Sequence, residues 1–154
     1  MNVSLSQNFR SLAESLVSLF GSSIAIVQTD RISGGDINKA YALTLNNNKR
    51  VFMKANAKEN VKFFTAEAAG ISAIKKTSAI ATPEVLCVGT DDGEKIGYSF
   101  LLQNFISGAK QRSDYWQDFA RNLAAMHNAD TSPFFDGNSE NPRFGFFEDN
   151  FIGA

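Results

Sequence analysis

Three strand-forming stretches separated only by turn residues precede one long helical stretch, and two more strand-forming stretches follow it. This order limits the possible folds more than any single residue does. Strands joined by tight turns pair antiparallel, because a parallel crossover needs a dozen or more connecting residues. The turns are Ser33-Gly34-Gly35-Asp36 and Asn46-Asn47-Asn48. Strands are expected over residues 24–27 continuing through Ser33, over 38–45 and over 50–55. A helix is expected from about residue 60 to 76, with Phe63, Phe64, Ala68, Ile71 and Ile74 on its apolar face. Thr82-Pro83 breaks the chain, since the residue before a proline avoids helical geometry. Residues 84–88 and 98–103, joined through Asp91-Asp92-Gly93, read as the last two strands. The expected class is α+β: a five-stranded antiparallel sheet with one helix inserted after the third strand. Doubly wound sheets alternate strand and helix instead.

Helices flank this sheet in sequence. Phe9, Leu12, Ala13, Leu16, Leu19 and Phe20 recur at steps of three and four, Ser4 with Gln7 fits a capping box, and Gly21 fits a helix stop. After the Ser107-Gly108 link, Ser113 is expected to cap a helix over residues 113–128. Its face carries Trp116, Phe119, Ala120, Leu123, Met126 and His127. From Asp130 the composition turns to Ser, Pro, Asn, Asp, Gly and Phe, which reads as an irregular tail. A length of 154 residues fits one domain, or one lobe and part of another. The expected division is 1–103 as an N-lobe with its N-terminal helix, 104–112 as a hinge or linker, and 113–154 as the start of a second lobe.

A formal net charge of -1 and scattered basic residues give no footprint for nucleic acid. Cys87 is the single cysteine, which excludes an internal disulfide; its apolar neighbours suggest a small buried hydrophobe. No apolar run approaches the ~20 residues that span a bilayer. The N-terminus lacks a basic region followed by an apolar one. A soluble cytoplasmic protein without a membrane partner is the expectation.

Few residues are candidates for chemistry. Gly34 and Gly35 suit a plain hairpin, and equally a lid whose backbone N–H groups approach phosphate oxygens. Lys54 closes the apolar run Arg50-Val51-Phe52-Met53-Lys54, and Glu67 lies in the following helix. A strand lysine paired with a helix glutamate is how a kinase-like fold holds ATP phosphates; separately, each residue would be an ordinary solvated charge. Leu101-Leu102-Gln103-Asn104-Phe105-Ile106 is either a strand ending in a turn or a hinge. As a hinge it would offer the Asn104 carbonyl and the Ile106 N–H to adenine, with Gln103 behind. His127 is the lone histidine, in the core or at a helix C-terminus, and without a second His or Cys it suggests no metal site.

Four segments together resemble the N-terminal half of a fructosamine kinase, also called ketosamine-3-kinase, within the protein-kinase-like superfamily. They are Ser33-Gly34-Gly35-Asp36-Ile37-Asn38-Lys39-Ala40-Tyr41, Val51-Phe52-Met53-Lys54, Phe64-Thr65-Ala66-Glu67-Ala68-Ala69-Gly70, and the run from Arg143 to Gly153. Leu123-Ala124-Ala125-Met126-His127 also matches the family's helix. The resemblance implies ATP-dependent phosphorylation of the sugar 3-hydroxyl of ketosamines, on small amines or on glycated lysines, which leads to deglycation. ATP and Mg²⁺ are implied. Lys54 would hold phosphates with Glu67 as its partner, and Gly34 and Gly35 would form the lid. The family's His-Gly-Asp-Leu base motif and later Asp-Pro metal motif are absent from these residues. No catalytic or metal residue is therefore expected within this chain, which alone should turn over little or not at all. An aminoglycoside- or choline-type phosphotransferase, or a nucleotide-binding module without chemistry, are the alternatives. An exposed apolar patch near Trp116 and a tendency to self-associate are expected as well.

Overall fold

A computed structural model describes residues 10–33, 37–93 and 97–130. Its elements run α1 (Leu12–Phe20), β1 (Ile26–Ile32), β2 (Lys39–Leu45), β3 (Arg50–Ala57), a 3₁₀ turn (Lys58–Asn60), α2 (Val61–Lys76), β4 (Val85–Asp91), β5 (Tyr98–Asn104) and α3 (Tyr115–His127). The five strands form one sheet in the order β1-β2-β3-β5-β4, and every pair is antiparallel. This is the α+β arrangement that the turn spacing implies, with α2 inserted between β3 and β4.

Strand β3 is central and sorts its side chains by the two-residue period of a pleated strand. Val51, Met53 and Ala55 are buried and join Leu43, Leu45, Phe100, Leu102 and Leu16 in the main core. Leu12 and Phe20 of α1 pack on the same cluster, so α1 covers that face. Phe52, Lys54 and Asn56 alternate with the core residues and point to the opposite face. There Lys54 has Ala40 on one side and Leu101 on the other. Helix α2 lies on this second face, with Phe64 and Ala73 as its buried residues.

The β2–β3 turn assigns its three asparagines separate tasks. Asn48 takes φ 64°, a left-handed conformation that asparagine tolerates better than most residues. The Asn47 side chain accepts from the Lys49 N–H at 3.0 Å. Asn46 reaches outward, donating to the Ser23 carbonyl at 2.8 Å and accepting from the Ala25 N–H at 3.3 Å, which ties the chain before β1 to the turn.

Two helix starts differ from expectation. Ser4 and Gln7 lie outside the described residues, and α1 begins later, at Leu12. Its capping box is Ser11 with Glu14: the Ser11 hydroxyl accepts from the Glu14 N–H at 3.3 Å, and the Glu14 carboxylate accepts from the Ser11 N–H at 3.0 Å. The same three-residue spacing serves here, with a carboxylate that suits the positive end of the helix. Gly21 ends α1 as expected, at φ 102°. The N-cap of α3 is Asp114, not Ser113, and its carboxylate makes no capping bond because the Arg112 guanidinium grips it at 2.6 and 3.0 Å. His127 is exposed at the last helical position of α3, where an imidazole suits the helix C-terminus. Cys87 is half-buried against the core, and burial pushes its thiol up, so little thiolate forms.

The capping box has a measurable consequence. Ser11→Ala should cost about 1 kcal/mol, read as a lower urea midpoint at unchanged slope. Hydrogen bonds from the Ser11 backbone N–H, then its hydroxyl, hold the Glu14 carboxyl below its usual range. A depressed folded-state value means the stabilisation is present at neutral pH and fades as pH falls through that value. Thermal melts of wild type and Glu14→Gln should therefore converge in acid.

Candidate functional site

Lys54 and Glu67 meet. The Lys54 Nζ donates to Glu67 Oε1 at 2.6 Å, and both side chains are 29% exposed. The strand register delivers Lys54 to the α2 face, because residues 51, 53 and 55 are committed to the core. The helical period delivers Glu67, which lies three residues beyond the buried Phe64 and so shares its side of α2. The pair is shielded enough to be held and open enough for a ligand to reach the ammonium. A lysine so placed presents a positioned point charge with further N–H donors, suited to phosphate oxygens.

Asn104 closes β5 and is tied twice to Glu84, the residue before β4. Its N–H donates to the Glu84 carbonyl at 3.0 Å, and its side-chain oxygen accepts from the Glu84 N–H at 2.6 Å. The next residue, Phe105, has the Arg50 guanidinium over its ring at 3.7 Å from the centroid. Gln103 is buried, whereas Ile106 is 62% exposed. The stretch after β5 therefore starts from a fixed point and then leaves the sheet, with no regular element until α3. Gly34 and Gly35 lie outside the described residues, as does the segment from Arg143 to Gly153.

Sequence reading does not single out the polar cluster beside the ion pair. Asn56, two residues beyond Lys54, donates to Asn38 Oδ1 at 2.7 Å and accepts from Asn60 Nδ2 at 3.1 Å. The available signal was the two-residue spacing from Lys54, which puts Asn56 on the same face of the strand.

A concavity of about 600 Å³ opens near the end of β3, lined in part by Tyr41, Met53, Ala55 and Tyr98, with Asn56 at its border. It is mostly apolar and does not reach Lys54 or Glu67. We place the site at the ion pair, where charge and geometry suit an anion, and not at this hollow. Among the described residues no three His, Cys, Asp or Glu side chains converge as metal ligands. No helix among them is long and apolar enough to cross a membrane.

The fructosamine kinase family model matches residues 8–154, nearly the whole chain. This chain belongs to the fructosamine kinase family. Among its relatives, a protein named as a probable ketoamine kinase from Synechocystis sp. is 30% identical over 146 residues, which cover 95% of this chain and 45% of that protein. One of the same name from Vibrio parahaemolyticus is 30% identical over 131 residues, covering 84% of this chain and 40% of the relative. The crystal structure of a fructosamine-3-kinase candidate from Haemophilus somnus 129PT superimposes with a TM-score of 0.67 at 26% identity, over 77% of this chain and 38% of that one. A second such structure, from Thermobifida fusca, has a TM-score of 0.53 at 22% identity and bears on the fold alone. The sheet with its inserted helix is thus the kinase-like fold of the fructosamine kinases. The chain spans less than half the length of the relatives it matches.

Proposed function

We propose that this fructosamine kinase family member is the nucleotide-binding half of an ATP-dependent ketosamine kinase. The observation that carries the reading is the 2.6 Å Lys54–Glu67 pair on the open face of the sheet. In this reading the Lys54 ammonium neutralises charge on the α- and β-phosphates, and Glu67 keeps it from turning into solvent. Gly34 and Gly35 cover the phosphates. The Asn104 carbonyl, which the Glu84 contacts do not use, and the Ile106 N–H receive the adenine edge. Phosphoryl transfer asks for positioning and charge neutralisation more than for covalent chemistry, and these residues supply the nucleotide's share.

The groups that activate the acceptor hydroxyl and hold Mg²⁺ would belong to protein beyond Ala154. The coverage of the relatives supports this. So does α3, whose Trp116 and Phe119 are 67% and 40% exposed, as expected of a helix with more protein to pack on. The isolated chain would associate through the same face. Acceptors would be ketosamines on small amines or on glycated lysines, in a cytoplasm that supplies ATP, with no nucleic acid or membrane involved. The reading places the nucleotide lobe at 1–103, the hinge at 104–112 and the second lobe from 113.

The test is ADP release by the full-length protein with a fructosyl amine, an aminoglycoside and choline in parallel. ATP-dependent phosphate on the sugar 3-hydroxyl of the fructosyl amine is expected. Turnover confined to another acceptor, or to none, would refute the reading.

A further inference from the structure

Among the described side-chain contacts between α2 and β3, the ion pair has a companion. It is made by Asn60, at the N-cap of α2. An asparagine there normally turns its side chain to the helix's own N–H groups. Asn60 makes no capping bond and instead donates to Asn56 on β3. Seven residues separate Asn60 from Glu67, about 10 Å along the helix. Asn56 and Lys54 are the two anchors on the strand side and share one face of it. The apolar packing of Phe64 and Ala73 holds the body of α2 on the sheet, and these two polar contacts set where Glu67 and the start of the helix sit along β3.

Asn56 has a third partner. Its Oδ1 also accepts from the Ala57 N–H at 2.7 Å; a backbone amide can only donate, which fixes the orientation of the side-chain amide. The Nδ2 group is thereby directed at Asn38, whose Oδ1 accepts at 2.7 Å. Lys39 pairs with Ala55, so the register carried one step further sets Asn38 opposite Asn56. Asn38 stands immediately before Lys39, the first residue of β2.

We infer that Asn56 is a positioning residue for the phosphate end of the nucleotide site. It fixes the start of α2, which carries Glu67, and the start of β2 at Asn38 relative to Lys54. The inference rests on the nucleotide reading of Lys54 and deepens it. One side chain, two residues from the lysine, sets the geometry of the elements on either side.

The experiment is a titration of the ¹⁵N-labelled chain with Mg·ATP and with adenosine, followed by backbone amide shifts, which report weak binding. Asn56→Ala should weaken Mg·ATP roughly tenfold and leave adenosine within about twofold, because the adenine contacts lie on another segment. Asn60→Ala and Asn38→Ala, which each remove one arm, should produce partial losses, and neither should add to Asn56→Ala. Equal weakening of both ligands, unchanged Mg·ATP affinity, or additive losses would overturn the inference. Lys54→Ala separates the two levels. Selective loss of Mg·ATP in that variant with none in Asn56→Ala removes the positioning role alone; a Lys54→Ala chain that binds Mg·ATP like wild type removes both readings.

Discussion

If Lys54 holds the nucleotide phosphates as proposed, Lys54→Ala in the full-length protein should reduce turnover by on the order of 10²–10³-fold, the usual cost of removing one preorganised charge from a reacting centre. Its fold should persist. Lys54 and Glu67 are each close to one-third exposed, so the orphaned carboxylate can take up water, and the lost pair should cost about 1 kcal/mol or less. The core residues on either side of it, Met53 and Ala55, are untouched. Lys54→Arg tests geometry against charge: the guanidinium keeps the charge but spreads it over a planar fork, so only part of the activity should return. Glu67→Ala should fall between Lys54→Arg and Lys54→Ala, since it frees the ammonium without deleting it. Steady-state kinetics with ATP and a ketosamine, with a thermal melt of each variant, check the series. Lys54→Ala turnover within about threefold of wild type would sink the phosphate role.

The features legible in the sequence were those set by local rules. Asn48 can accept a left-handed turn, and the alternation along β3 sorts Lys54 from Met53 and Ala55, so the meander and the face on which Lys54 lies could be read directly. What escaped depended on competition between equivalent local signals or on contacts between distant segments. Ser11 with Glu14 has the same spacing as Ser4 with Gln7, a pair outside the described residues, and only the folded chain shows that α1 starts at Leu12. Ser113 lost its cap role because Asp114 stands at the N-cap position, its carboxylate already gripped by Arg112. Asn60 stands at the N-cap of α2 yet bonds Asn56, a partner that only the folded sheet brings near. The Arg50–Phe105 contact likewise exists only because β3 and β5 are neighbours, which their order in the sequence does not reveal.

Among the glycines whose surroundings are described, Gly89→Ala should be the most damaging. Gly89 is buried in β4, opposite Phe100 of β5. A Cβ there would stand 2.6 Å from the Arg10 carbonyl oxygen and 2.9 Å from Phe100 Cε1. Neither can yield cheaply. Phe100 is fully buried in the main core. Arg10 immediately precedes the Ser11 cap, and its stretch is anchored by the Leu12 N–H, which donates to Asp91 on β4 at 2.9 Å. The methyl group must therefore push α1 off the sheet or turn the Phe100 ring against its packing. Overpacking of this kind costs about 3 kcal/mol, a large share of the ~5–15 kcal/mol that holds a domain together. For a chain of this size that is a fall of about 10 °C in Tm. Gly108→Ala is the control, since nothing lies within 4 Å of its added Cβ, and it should melt within about a degree of wild type. The clash also predicts non-additivity. Phe100→Ala alone opens a cavity at a cost of about 3–5 kcal/mol, and the Gly89→Ala methyl would occupy part of that space. The double variant should be less damaged than the two single losses added together, with a residue of strain left by the Arg10 carbonyl. Strict additivity would mean that the Phe100 ring does not set the limit at Gly89.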